Sequence, residues 1–185
     1  MVITVDILII ILLIFLLVSA SFLDIRIYRI PNILTYSYIF LGFTYNSYIF
    51  GYEGFIFSML GTLAGIGLLF IPYILGWMGA GDAKLLGAVG SFIGANGVFI
   101  SFLFTALAGG IYALLIIILY NSKFKGFFTN LYYSGVHLFV TQQYVSFEDE
   151  EDVRQRPKLC YGLAIAAGTG IYMFCMTYGI EVLPL

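Results

Sequence analysis

The sequence predicts an all-α, polytopic integral membrane protein with about six transmembrane helices and one interfacial amphipathic helix. Two features of the composition support this class: 62% of the 185 residues are hydrophobic, and only 10% are charged. Soluble domains carry about 25% charged residues, so a water-soluble fold of this size does not need so much apolar surface. The apolar residues are also grouped in long runs, several of which are long enough to cross a hydrocarbon core of about 30 Å. We therefore treat residues 1–185 as one membrane domain.

Turn signals divide the apolar sequence into six predicted spans. The first run lacks the basic start and the cleavage site of a secretory signal, so we interpret it as a helix that stays in the membrane. A short turn at residues 51–54 ends the second span, and the tripeptide at residues 95–97 separates the fourth from the fifth. In the third span, small residues at Gly61, Ala64 and Gly65 predict close helix packing. The predicted spans are residues 2–23, 33–50, 55–76, 83–94, 98–120 and 159–180.

Residues 121–158 form the only sizeable segment outside the predicted spans. An acidic run from Glu148 to Asp152 within it is most simply a solvated loop. Ahead of that run, apolar side chains recur at helical spacing with polar residues between them, as in a helix that lies in the membrane interface. These apolar residues are Phe124, Phe127, Phe128, Leu131, Tyr132, Leu138 and Phe139.

The basic residues predict the orientation of the chain. With six spans, all eight lie on one side of the membrane: Arg26, Arg29, Lys84, Lys123, Lys125, Arg154, Arg156 and Lys158. Under the positive-inside rule that side is the cytoplasm, and both termini face outward. A single helix over residues 85–120 would separate Lys84 from Lys123, so the six-span arrangement is preferred. It brings Asp24 and Asp82 to the same, cytoplasmic face.

Asp82 stands in the sequence G-A-G-D-A-K, between two strongly apolar runs. An acid at membrane depth is costly and marks a functional site by default. Gly79 and Gly81 let backbone or substrate approach Asp82 closely and permit a tight turn into a new helix. Asp82 then falls at or just before the first turn of that helix, and the simpler interpretation is an Asp that serves only as an N-cap.

Asp24 begins the sequence D-I-R-I-Y-R-I-P-N. Pro31 disfavours helix at Ile30, so the first helix ends or bends there and holds Asp24 in its last turns. By itself, the cluster of Asp24 with Arg26 and Arg29 is most simply a solvated group of charges beside the membrane.

Two carboxylates held close together cannot comfortably both ionise, so one keeps a proton while the other remains a base. Such a pair can hydrolyse a peptide bond without a nucleophilic side chain: one Asp draws a proton from water and the other donates to the carbonyl oxygen. The sequence contains no G-x-S-x-G, H-E-x-x-H or G-x-x-x-x-G-K motif that would favour another reaction. A lone His137 cannot build a metal site unaided, and Cys160 and Cys175 are too far apart on one predicted helix to form a disulfide. We predict neither a metal nor another cofactor.

These motifs resemble those of the type IV prepilin peptidase family, which belongs to the GxGD membrane aspartyl proteases. The G-A-G-D-A-K sequence matches the family's G-x-G-D signature, and D-I-R-I-Y-R-I-P-N matches its first motif. A third stretch, residues 157–168, is more loosely similar to its P-x-G-x-x-x-x-x-G sequence. By this resemblance, Asp24 and Asp82 are the catalytic pair, Gly79 and Gly81 belong to the active-site loop, and Lys84 is the motif's lysine.

The resemblance also implies a substrate and a location. The substrate is a prepilin, pseudopilin or Tad-type precursor whose short basic leader stays in the cytoplasm. The enzyme is integral to a prokaryotic cell membrane. Its other partner is the lipid bilayer, and no nucleic-acid partner is expected. The chain lacks the cysteine-rich insert of relatives that also N-methylate their product, so it is similar to the minimal, peptidase-only branch. The alternative is a proton- or cation-coupled transporter that uses Asp24 and Asp82 as a relay. Transporters usually show internal repeats, which we do not find in this sequence.

Overall fold

A computed structural model describes residues 7–76, 78–119 and 161–178, and most of these residues lie in four helices. They are α1 (Ile7–Ile27), α2 (Asn32–Ile74), α3 (Ala80–Leu119) and α4 (Tyr161–Thr177). The all-α prediction is confirmed for this part of the chain. The predicted interfacial helix, the acidic run and His137 lie outside the described residues. Residues 7–110 and α4 belong to one compact unit, and residues 111–119 belong to a second.

Helix α1 ends as the proline predicts. The backbone of Tyr28 has a φ of 53°, in the left-handed region, and its N–H donates a hydrogen bond of 2.9 Å to the carbonyl of Asp24. This is the usual way in which a helix satisfies a carbonyl of its last turn, although glycine more often occupies the left-handed position. Pro31 then precedes α2 with a φ of −62°. Its ring fixes that angle, which suits the start of the second helix.

Helix α2 consists of two helical segments that fold back on each other at Gly51. Gly51 has φ 60° and ψ −135°, values that are not helical and that glycine adopts without steric cost. Asn46 and Ser58 would be about 18 Å apart along one straight helix. Instead, Nδ2 of Asn46 donates a hydrogen bond of 3.0 Å to Oγ of Ser58. The predicted turn that starts at residue 51 is therefore confirmed.

Helix α3 is likewise broken, at Gly94, where φ is 74° and ψ is −179°. The segment before the break packs on the second half of α2, with Gly90 against Gly61. The segment after it packs on α4, where the hydroxyls of Ser101 and Thr169 are 2.8 Å apart. The break lies one residue before the turn that we predict at residues 95–97.

A buried polar cluster joins both halves of α2 to α3. Nδ2 of Asn46 donates to the carbonyl of Ser91 at 2.9 Å, and Oγ of Ser58 donates to the same carbonyl at 2.8 Å. Asn46 is only 2% exposed. Hydrogen bonds of this kind between helices contribute about 1 kcal/mol each in membrane proteins.

Close glycine contacts complete the packing of the helices. A side chain at Gly61 would overlap the carbonyl of Gly90, and one at Gly65 would overlap the backbone of Leu86. Gly168 in α4 lies in the same way against the backbone of Thr105. The predicted close packing of small residues in the third span is therefore confirmed for Gly61 and Gly65.

The outer surface of these helices is apolar. Ile7, Ile33 and Ile71 are 75%, 78% and 67% exposed, and so large an apolar surface is stable only against lipid or a partner. Helices α1 and α2, and α3 over residues 80–115, are long and apolar enough to cross a membrane, while α4 is apolar but shorter. These properties are those of an integral membrane protein. The number of spans stays a prediction. Gly51 and Gly94 divide the two long helices near the boundaries that we predict between spans.

Candidate active site

Asp24 lies in the last turn of α1 and points into the protein. Its side chain is 7% exposed, so it is not part of a solvated cluster of charges. Oδ2 of Asp24 accepts a hydrogen bond of 2.9 Å from the backbone N–H of Gly162, at the start of α4. The carboxylate therefore stands at the N-terminus of another helix, where the free N–H groups and the helix dipole stabilise negative charge.

Asp82 lies in the first turn of α3 and is 8% exposed. Its Oδ2 accepts a hydrogen bond of 3.1 Å from the backbone N–H of Gly79, the residue that precedes the helix. This is the contact that the third residue of a helix makes in a capping box. Asp82 is thus not an N-cap residue, and its carboxylate also stands at a helix N-terminus.

The fold brings Asp24 and Asp82 together, although 57 residues separate them in the sequence. They are close enough for their negative charges to repel each other. The charge of Asp82 also acts on Tyr161, the first residue of α4. Three helix ends therefore meet at one place: the C-terminus of α1 and the N-termini of α3 and α4.

The two glycines of G-A-G-D have different surroundings. A Cβ at Gly81 would lie 3.1 Å from Cβ of Ile30, which is tighter than ordinary contact, whereas one at Gly79 would meet Oδ2 of Asp82 at 3.5 Å. Neither glycine has a positive φ. The glycine with a left-handed backbone in this turn is Gly76, whose φ is 72°. The prediction that Gly79 and Gly81 permit the tight turn therefore gains no support from a left-handed backbone at either residue, and it stays a prediction. Gly81 permits close contact with the loop that follows α1.

Lys84 points toward the start of α2. Its Nζ donates a hydrogen bond of 2.9 Å to Oδ1 of Asn32 and lies 5.2 Å from the centre of the Tyr36 ring. Asn32 is the last residue of the motif that Asp24 begins. Lys84 thus links the two motifs, a contact that sequence spacing could not have predicted.

The contribution of α4 to this site was not predicted residue by residue. Gly162 provides the N–H that binds Asp24, and the charge of Asp82 acts on Tyr161. The sequence shows only the loose similarity of residues 157–168 to the family's third stretch. Within the described ranges, no three His, Cys, Asp or Glu side chains are grouped so that they could hold a metal ion. The absence of a metal in catalysis stays a prediction, which a chelation experiment can test.

Comparison with known proteins identifies the family. The model of the type IV leader peptidase family matches residues 10–114, more than half of the chain and the part that contains both Asp24 and Asp82. No curated protein and no solved structure matches the chain. With both motifs inside the matched residues and both carboxylates buried together, the chain belongs to the type IV leader peptidase family.

Proposed function

We propose that this protein is a membrane aspartic endopeptidase that removes the short basic leader from prepilin-like precursors. The observation that carries the proposal is the pair of buried carboxylates, Asp24 and Asp82, each bound by a backbone N–H at a helix N-terminus. Membership of a peptidase family supports this chemistry. No feature of the described helices favours the transporter, so the peptidase is the only function that we propose.

The reaction needs no group beyond the two carboxyls and water. The ionised Asp takes a proton from a water molecule, whose oxygen attacks the carbonyl carbon of the scissile peptide bond, while the protonated Asp donates its proton to the carbonyl oxygen. The resulting gem-diol collapses as the C–N bond breaks. The nitrogen of the leaving amine takes the proton that came from water, and a hydroxyl of the gem-diol gives its proton to the other Asp, so the carboxylic acid product forms and the two carboxyls return to their starting state. Repulsion between the charges of Asp24 and Asp82 disfavours the state in which both are ionised, and so favours the singly protonated pair that the reaction requires.

The substrate and the membrane face follow from the family and from the charges. Precursors of this class combine a short basic leader with an apolar first helix. An active site at the cytoplasmic membrane surface would receive the leader from water and the apolar helix from lipid. The prediction that all basic residues, including Arg26, Arg29 and Lys84, lie on the cytoplasmic side supports this orientation.

The experiment is a cleavage assay with purified enzyme in detergent or liposomes and a prepilin-like peptide. We expect one cut after the basic leader, and we expect Asp24→Asn and Asp82→Asn each to lower kcat/KM by roughly a thousandfold or more, because neither proton transfer can be replaced. Asn is nearly the same size as Asp, so both variants should accumulate normally. The acidic run offers a control, since Glu150→Gln should cleave like the unmodified enzyme. Appreciable cleavage by either Asp variant would remove that residue from the mechanism.

A further inference from the structure

Helix α4 lies beyond the residues that the family model matches, yet Gly162 near its start contacts Asp24 of the candidate catalytic pair. The N–H of Gly162 is 2.9 Å from Oδ2 of Asp24, and this contact joins residues that are 138 positions apart. It is buried. The orientation of the Asp24 carboxyl is therefore determined in part by a residue on a different helix.

Among the described residues of α4 (Tyr161–Thr177), none precedes Gly162 by the four positions that a helical hydrogen bond spans. The acceptor shown for the N–H of Gly162 is Oδ2 of Asp24. A hydrogen bond from a backbone N–H to a carboxylate is also among the stronger ones in proteins.

The same contact leaves no room for a side chain. A Cβ at Gly162 would lie 2.8 Å from Oδ2, 3.3 Å from Cβ and 3.3 Å from Cγ of Asp24. Asp24 would have to move away to accommodate it. Gly170, on the same helix, has nothing within 4 Å of the position where its Cβ would be, so only the first of these two glycines is required by its surroundings.

We infer that Gly162 is a positioning residue for the reaction, whose backbone N–H holds the Asp24 carboxyl in the orientation needed for proton transfer. This inference rests on the proposed function and deepens it. The N–H fixes one carboxylate oxygen, and the missing side chain lets helix α4 approach α1 closely enough for that contact. The catalytic centre then extends beyond the two aspartate motifs to the start of α4.

The most specific test replaces a single backbone N–H group. Glycolic acid incorporated at position 162 by cell-free translation replaces the N–H with an ester oxygen and adds no bulk. The same replacement at Gly170 is the matched control, because the N–H there donates to the carbonyl of residue 166 in a regular helix. We expect the ester at 162 to lower kcat by roughly tenfold to a hundredfold, with KM close to that of the unmodified enzyme and with some loss of thermal stability, because a buried hydrogen bond to a carboxylate is removed. We expect the ester at 170 to lower thermal stability and leave kcat unchanged.

Side-chain variants give a second, independent measurement. Gly162→Ala should lower kcat and change KM little, because Asp24 is displaced while the peptide-binding surface is kept. Gly170→Ala should cleave like the unmodified enzyme. An ester at 162 that leaves kcat unchanged would overturn the inference. Equal losses of kcat in the esters at 162 and 170 would overturn it as well. Failure of the unmodified enzyme to cleave would instead count against the proposed function, so the two failures can be distinguished.

Discussion

The Nζ atom of Lys84 donates a hydrogen bond of 2.9 Å to Oδ1 of Asn32 and so joins the two motifs that contain Asp24 and Asp82. Lys84 lies one residue beyond the first turn of α3, and Asn32 is the first residue of α2. The contact fixes the distance between the start of α3 and the loop that follows α1. We therefore predict that this contact helps to hold the two motifs together.

The first prediction separates this role from direct catalysis. Lys84→Met and Asn32→Ala should each lower kcat/KM by about fivefold, because a partly exposed hydrogen bond to a charged group contributes roughly 1 kcal/mol. The double variant should cleave no more slowly than either single variant, since both changes remove the same contact. Rate measurements on the four proteins complete the cycle. Additive losses would show that Lys84 acts on something other than Asn32.

The second prediction concerns the two glycines of the G-A-G-D sequence. Gly81→Ala should lower kcat/KM by roughly tenfold, because the new Cβ presses on Ile30 at 3.1 Å and shifts the start of α3 by a few tenths of an ångström. Alanine is also a better helix former, so thermal stability should not fall in parallel with activity. Gly79→Ala should lose less activity, since its Cβ would make only ordinary contact with Oδ2 of Asp82, at 3.5 Å. Gly67→Ala is the control, because nothing lies within 4 Å of the position of its Cβ. Equal losses in Gly81→Ala and Gly67→Ala would contradict this steric explanation.

Local signals in the sequence predict the ends of the helices better than the contacts between them. Pro31 and the glycine at position 51 restrict or free the backbone of their own residues, so the end of α1 and the reversal within α2 could be predicted. The break in α3 falls at Gly94, one residue from its predicted place, because helix boundaries depend on packing as well as on local turn residues.

The same distinction applies to the site. The cost of a charge in an apolar run identifies Asp24 and Asp82 as candidates, and the structure brings them together. The contacts of Gly162 with Asp24 and of Lys84 with Asn32 link residues that are 138 and 52 positions apart. No periodicity or spacing in the sequence encodes such pairs. They become visible only when the helices are packed.

The third prediction tests the orientation of the chain, which follows from the one-sided distribution of basic residues. In a background without Cys160 and Cys175, a cysteine that replaces Glu148 should react with an impermeant thiol reagent only after lysis. A cysteine at Tyr52, which is 78% exposed beside the reversal at Gly51, should react in intact cells. The opposite pattern would place the active site on the outer face and would contradict the proposed entry of the leader from the cytoplasm.

The last prediction separates a carboxylate pair from metal catalysis. A metal hydrolase needs roughly three protein ligands and a water molecule. A carboxylate pair that shares one proton needs no metal, but it is inactive both when it is fully protonated and when it is fully ionised. The plot of kcat/KM against pH should therefore be bell-shaped, and its two limbs belong to the coupled pair of Asp24 and Asp82 rather than to either residue. Activity should survive prolonged treatment of the purified enzyme with a chelator. Inactivation by the chelator, with recovery when one divalent metal is added back, would make the two aspartates ligands and would exclude the proposed mechanism even if both remained essential.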